Sequence, residues 1–142
     1  MRQRTKVGVL GVAVAIALAV TEHRMAHAYY SSTWYEDAGG HEQAVRQQRA
    51  LHAPMLVYFR VDWCPHCRAL DEMLEAYEVR SRLNGFIKVR INPEHGDAEK
   101  ALFQGPYGAG GYPALFVHPD GGTPARVSTK GPPEQFVAHL PN

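Results

Sequence analysis

The sequence feature that most constrains the fold is an apolar segment that leads directly into a segment with helical spacing. Residues 55–61 (MLVYFRV) are mostly apolar, β-branched or aromatic, which is typical of a strand covered on both faces. After Pro65, apolar side chains recur at helical spacing, at Leu70, Met73, Leu74 and Tyr77. Asn84-Gly85 is a typical helix end. A buried strand is therefore expected to pass straight into a surface helix.

The rest of the chain continues this alternation. Further helices are predicted over residues 41–52 and 97–103 and after Pro132-Pro133, and further strands over residues 86–91, 114–117 and 125–129, with a turn at 118–122. Residues 29–40 (YYSSTWYEDAGG) show no period and are predicted to be an irregular lead-in to a domain at 41–142. This order implies an α/β fold with a mixed central β-sheet flanked by helices.

Residues 1–28 have the pattern of a secretory signal. Basic residues lie within 1–6, an apolar or glycine run covers 7–20, and Ala26 and Ala28 fit a cleavage site. The run is shorter than the roughly 20 residues that span a bilayer comfortably, so cleavage is favoured over a retained membrane anchor. We therefore expect a periplasmic or secreted protein, with tethering to the inner membrane as the alternative.

Size and charge limit the classes of function. Removing 28 of the 142 residues leaves 114, which is enough for one domain with one core. The removed segment takes four of the 15 Lys and Arg and one of the 14 Asp and Glu, so 11 basic residues remain against 13 acidic ones. Because no basic block remains, nucleic acid is not an expected partner.

The two cysteines, Cys64 and Cys67, lie where the predicted strand passes into the helix. Unpaired N–H groups and the helix dipole stabilise a thiolate there, so Cys64 is the predicted nucleophile and Cys67 the resolving residue. Pro65 suits the first turn because it has no N–H to leave unpaired. A protonated His66 adds positive charge beside the thiolate, which makes the disulfide a stronger oxidant.

Other uses of a cysteine pair fit less well. A c-type haem site needs histidine directly after the second cysteine, where this chain has Arg68. A structural zinc site normally takes four ligands, and there is no other cysteine. The histidines available to complete such a site lack ligand spacing: His41, His52, His95, His118 and His139. A structural disulfide here closes too small a loop to constrain the unfolded chain much. Redox chemistry without a metal or organic cofactor is therefore favoured.

Two motifs carry a resemblance to the thioredoxin superfamily over residues 41–140. They are W-C-P-H-C at 63–67 and Y-G-A-G-G-Y-P at 107–113, in the family's order and on the expected elements. The resemblance implies a thioredoxin fold in which Pro113 follows a cis bond and lies against the cysteines. It also implies that Tyr112 pairs with the substrate through its backbone. We expect Trp63 to shield one side of the pair.

The chain departs from the family pattern at the buried proton acceptor. Thioredoxins have an aspartate six residues before the first cysteine, where this chain has Tyr58. Asp71, seven residues after Cys64, is a candidate substitute that acts through a water, as in the C-terminal domain of the membrane reductant conduit DsbD. A solvated helix acid is the alternative interpretation.

These observations predict an extracytoplasmic thiol–disulfide oxidoreductase that acts on protein thiols and disulfides with a redox partner protein, for which a membrane protein is one candidate. The Pro65-His66 dipeptide is shared with the oxidase DsbA, whereas the small scaffold is similar to thioredoxins and to the DsbD domain. The scaffold favours a reductase, with a thiol oxidase or isomerase as the alternative. A different class also stays open: a non-catalytic chaperone that holds copper(I) with Cys64, Cys67 and His66.

Overall fold

A computed structural model describes residues 11–22 and 33–141 of the chain. The elements after helix α1 (11–22) are β1 (Trp34–Glu36), α2 (Asp37–Leu51), β2 (Met55–Phe59), α3 (Pro65–Glu75), α4 (Tyr77–Leu83), β3 (Ile87–Ile91), α5 (Asp97–Gln104), β4 (Ala114–His118), β5 (Ala125–Val127) and α6 (Pro133–Ala138). The predicted fold class, a mixed sheet flanked by helices, is confirmed. The predicted cleavage site at Ala26 and Ala28 lies outside the described residues.

Strand β2 is the centre of the sheet, whose order is β1-β3-β2-β4-β5. It pairs in parallel with β3 and antiparallel with β4, so that Val57 lies between Val89 and Phe116. All five of its residues are buried. This is the strand that the apolar run predicted, and its burial on both faces explains why the run does not alternate.

The side chains of β2 divide the core into two layers. Met55, Val57 and Phe59 point to the layer covered by α2 and α5. Leu56 and Tyr58 point to the layer covered by α3, α4 and α6. Because burying a large apolar side chain contributes roughly 1.5–3 kcal/mol, both layers depend on this one strand.

The N-terminal part of the domain is more regular than the sequence indicated. Of the predicted irregular lead-in, residues 34–36 form edge strand β1, and α2 begins at Asp37 rather than His41. A three-residue strand is too short to show a period, and Tyr35 gains its burial by pairing with Val89. Gly40 looks unfavourable in a helix, but a Cβ there would lie 2.9 Å from the Tyr35 carbonyl carbon. Glycine therefore lets α2 pack closely on β1.

The single helix predicted from Pro65 to residue 84 is two helices. Ala76, with ψ of 140°, separates α3 from α4. The buried positions explain the break, because Leu74 and Val79 are five residues apart instead of three or four. In a continuous helix Val79 would point away from the core. The extended backbone at Ala76 turns Val79 back toward the core.

None of the helices in residues 11–22 and 33–141 has both the length and the apolar character needed to cross a membrane.

A chain of polar side chains ties α2 to the end of β4. The Tyr107 hydroxyl lies 2.8 Å from His41 Nε2 and 3.1 Å from His118 Nδ1. Since the Gly122 carbonyl only accepts, His118 Nε2–H donates to it over 3.2 Å, which leaves Nδ1 of the neutral ring to accept from Tyr107. Burial lowers the pKa of both histidines, with nearby Glu42 opposing the shift at His41.

The hydrogen bonds among His41, Tyr107 and His118 predict that the folded protein loses stability in mild acid. Folded His41 and His118 titrate below the unfolded value of about 6.5, so below that pH the unfolded chain binds more protons. Stability is then fully present above about pH 6.5 and falls as pH drops through the lowered pKa values. The exposed His95 acts in the opposite sense, because its hydrogen bond to Asp37 raises its pKa. Urea unfolding at about pH 7.5 and about pH 5.5 measures the loss.

A double variant, His41→Gln with His118→Gln, should make the urea midpoint less dependent on pH. The exposed His139→Gln is the matched control and should keep the wild-type dependence. An unchanged dependence in the double variant would contradict the assignment.

Candidate active site

The candidate active site is built around the cysteines at the amino end of α3. Cys64 is the N-cap residue, Pro65 opens the helix and Cys67 lies one turn on. The cysteines form a disulfide with Cα atoms 5.2 Å apart and are 4% and 0% exposed. Cys64 Sγ accepts a hydrogen bond from the Cys67 backbone N–H over 3.1 Å. Once reduced, a sulfur in this position is stabilised as the thiolate by the N–H group and the helix dipole.

The loop at residues 107–113 brings Tyr112 to the cysteines. Tyr112 packs on the cluster of Val61, Cys64 and Cys67. The Tyr112–Pro113 bond is cis, and Pro113 is half-buried. Burial raises the pKa of Tyr112, and Glu94 adds to the shift.

Glycines fix the path of this loop. Gly108 and Gly110 have φ of 52° and 69°, in the left-handed region that favours glycine. The Ala109 N–H between them donates to the Phe103 carbonyl over 2.9 Å, which fastens the loop to α5.

Trp63 directly precedes Cys64 and contacts Glu94 and Tyr112. Its side chain is 63% exposed, and its indole N–H donates to Glu94 over 3.0 Å. Its ring meets Tyr112 edge-on at 6.2 Å, and Phe103 lies 5.0 Å from Tyr112 on the other side. Sequence reasoning missed Glu94 and Phe103, which belong to other segments and carry no motif.

Beneath Cys67 lies a group of polar side chains that the sequence predicted only in part. The Tyr58 hydroxyl donates to the Cys67 carbonyl over 3.0 Å. Burial, and then the Asp71 carboxylate, raise the pKa of Tyr58, so its phenol stays protonated at neutral pH. Asp71 is half-buried and pairs with Arg60 at 3.4 Å. Tyr58 therefore positions the Cys67 backbone, and Asp71 interacts with the Tyr58 side chain.

His66 opens onto a groove of about 820 Å³. The groove is bounded by α3, the end of the 107–113 loop, and the segment from β5 to α6. Its lining residues include His66, Met73, Pro113, Arg126, Val127 and Lys130. The structure thus places His66, Tyr112 and Pro113 around one opening, and Tyr112 also packs on the cluster that contains Cys64.

No cluster of three or more His, Cys, Asp or Glu side chains with metal-binding geometry occurs in the described part of the chain. Cys64 and Cys67 in their reduced form are the thiolates that would hold a soft metal ion.

The position of Cys64 predicts unequal thiol reactivity. We compare two variants that each keep one cysteine. Cys64 in the Cys67→Ala variant should be alkylated well before Cys67 in the Cys64→Ala variant. The apparent pKa of Cys64 should lie below the value of about 8.5 for a free thiol. Iodoacetamide labelling followed by mass spectrometry across pH measures both rates. Equal rates at neutral pH would rule out Cys64 as the nucleophile.

The Tyr58 contact predicts a stability effect centred on Cys67. Tyr58→Phe keeps the buried ring but leaves the Cys67 carbonyl without its donor, and we expect the free energy of unfolding to fall by about 1 kcal/mol. Tyr77→Phe, on a residue that is 73% exposed, is the matched control and should have little effect. Equal effects from the two variants would show that the Tyr58 hydrogen bond contributes nothing.

Known structures share this architecture. A disulphide isomerase from Xylella fastidiosa Temecula1 is 24% identical, with 68% of this chain and 86% of that chain covered and a TM-score of 0.53. The reduced C-terminal domain of DsbD from Neisseria meningitidis is 20% identical (75% and 95% covered, TM-score 0.61). A thioredoxin from Thermus thermophilus is 21% identical (76% and 83% covered, TM-score 0.61). These identities establish the fold alone.

A search of curated proteins found no match. Residues 33–119, more than half of the chain, match a family model described as thioredoxin-like. A thioredoxin-like fold that carries the Cys64–Cys67 pair supports thiol–disulfide oxidoreductase chemistry. The chain belongs to the thioredoxin-like family, within the thioredoxin superfamily.

Proposed function

We propose that the protein is an extracytoplasmic thiol–disulfide oxidoreductase that works as a reductase on protein disulfides. One observation carries the proposal: Cys64 caps helix α3 and its sulfur faces the Cys67 N–H at 3.1 Å. This arrangement favours the thiolate of one cysteine while keeping its partner within bonding distance.

The reaction is two successive thiol–disulfide exchanges. The Cys64 thiolate attacks one sulfur of a substrate disulfide, that bond breaks, and the first substrate thiolate leaves and takes a proton. Cys67, after losing its proton, attacks Cys64 Sγ, which releases the second substrate thiol and forms the Cys64–Cys67 disulfide. The substrate gains two electrons and two protons, and a dithiol partner restores the reduced enzyme by the same steps in reverse.

The proton of Cys67 needs an acceptor, because Cys67 is fully buried. The protonated Tyr58 phenol is not a base. We assign this role to Asp71, which Arg60 holds beneath the pair and whose side chain is 30% exposed, so that a water can join it to the thiol.

The scaffold favours the reductive direction. The DsbD domain and the thioredoxin each match about three quarters of this chain. The chain resembles these small scaffolds more than DsbA, whose inserted helical domain it lacks. The second candidate, a thiol oxidase or isomerase, is favoured by the Pro65-His66 dipeptide, and a disulphide isomerase is also among the structural neighbours.

The proposed location is the periplasm or the exterior. It rests on the signal pattern of residues 1–28 and on the DsbD domain among the structural neighbours. A reductase outside the cytoplasm would then draw its electrons from a redox partner protein, for which a membrane protein is one candidate. Tethering through the N-terminal segment is the alternative to cleavage.

Turnover tests the function. Metal-free protein with excess dithiol should reduce a disulfide substrate, and Cys64→Ser should lose essentially all of this activity. Stoichiometric copper(I) binding without turnover would instead support the chaperone.

The reduction potential then separates the two directions. A value near that of thioredoxin, about −270 mV, supports the reductase, and a value near that of DsbA, about −120 mV, supports the oxidase. His66→Ala should lower the potential by a few tens of millivolts, because about 30 mV corresponds to the roughly 1.4 kcal/mol of one charge-assisted contact.

A further inference from the structure

We propose that the groove beside Cys64 selects protein segments that carry acidic side chains next to their reactive cysteine. The inference rests on the proposed function and concerns the choice of substrate. Its basis is the uneven distribution of charge around the cysteine pair.

One flank of the pair carries the cations Arg126 and Lys130. The groove contains His66, Arg126 and Lys130, and none of its lining residues is Asp or Glu. In the described part of the chain, no ion pair involves Arg126 or Lys130. An anionic side chain that enters the groove therefore does not have to displace an internal carboxylate.

Arg126 is held in place before any substrate arrives. Its Nη1 donates to the Ala109 carbonyl over 2.6 Å, and its guanidinium lies 5.9 Å from the centre of the Phe116 ring. Both contacts reduce the side-chain entropy that a long, unrestrained arginine loses on binding. These contacts fix the guanidinium on the face of the sheet that α5 covers, whereas Val127 lies on the other face, so Arg126 contributes its charge at the rim of the groove.

The opposite flank is anionic. Glu94 accepts the Trp63 indole N–H, and its charge also reaches Tyr112, whose pKa it helps to raise. Asp62, the exposed neighbour of Trp63 in the chain, pairs with Arg60 at 3.6 Å. Tyr112 therefore lies between the basic groove and the carboxylate of Glu94. An acidic side chain of a bound segment is expected to point toward the groove and away from Glu94.

The shape of the groove fits a polypeptide. Leu70, Met73, Pro113 and Val127 supply apolar lining between the charged groups, and its volume of about 820 Å³ lies within the range of ligand sites. The domain without residues 1–28 has almost balanced charge, with 11 basic and 13 acidic residues. Selection must therefore come from these local contacts and not from a long-range field.

Two disulfide-linked peptides test the proposal. They differ only in two residues next to the reactive cysteine, Glu-Glu in one and Lys-Lys in the other. We expect kcat/KM at low salt to be about tenfold higher for the acidic peptide and the ratio to fall toward one at about 1 M salt, where the Debye length is about 3 Å.

Lys130→Glu should reduce this ratio at least threefold. It is the variant of choice because Lys130 is exposed, whereas Arg126 also fastens the buried Ala109. Lys100→Glu makes the same change of net charge on exposed α5, outside the groove, and should keep the wild-type ratio.

The outcomes distinguish this inference from the function on which it rests. If the wild type reduces neither peptide, the proposed function fails. If it reduces both at equal rates, or if Lys100→Glu changes the ratio as much as Lys130→Glu, the oxidoreductase stands and the charge-selective groove is wrong.

Discussion

The structure depends on the burial of β2 between two hydrogen-bonded neighbours and two apolar layers. All five residues of Met55–Phe59 are buried. If the strand slipped by one residue, each side chain would move to the core layer on the opposite face of the sheet. That fixed register sets where the chain leaves the sheet, and hence where Cys64 meets α3. The reactivity of the cysteine pair is thus a consequence of core packing several residues earlier in the chain.

The sequence sufficed to predict the elements that carry strong periodicity or a motif. The β2 run, the start of α3 at Pro65 and the approach of residues 107–113 to the cysteines were all expected. The break at Ala76 was not, since it has neither Gly nor Pro and shows only as a five-residue step between Leu74 and Val79. Strand β1 was missed because Tyr35 is buried by partners about fifty residues away, on β3.

Part of the site also depends on such distant contacts. Glu94 and Phe103 are unremarkable in sequence and reach the site only because β3 and α5 end near Tyr112. In the sequence, Tyr58 indicated only that the buried acid of thioredoxins is absent. In the structure, its hydroxyl donates a hydrogen bond to the Cys67 carbonyl. A hydrogen bond from a side chain to a backbone carbonyl leaves no spacing signal, so sequence reasoning had no means to find it.

The two edge strands, β1 and β5, have three residues each. An open sheet edge is a template onto which another extended chain can add, and short edges with charged residues limit such growth. Glu36 and Arg126 provide the charges here. For an oxidoreductase that acts on protein segments, as proposed, blunt edges would restrict those segments to brief exchange at the cysteines and would protect the enzyme from co-aggregating with them.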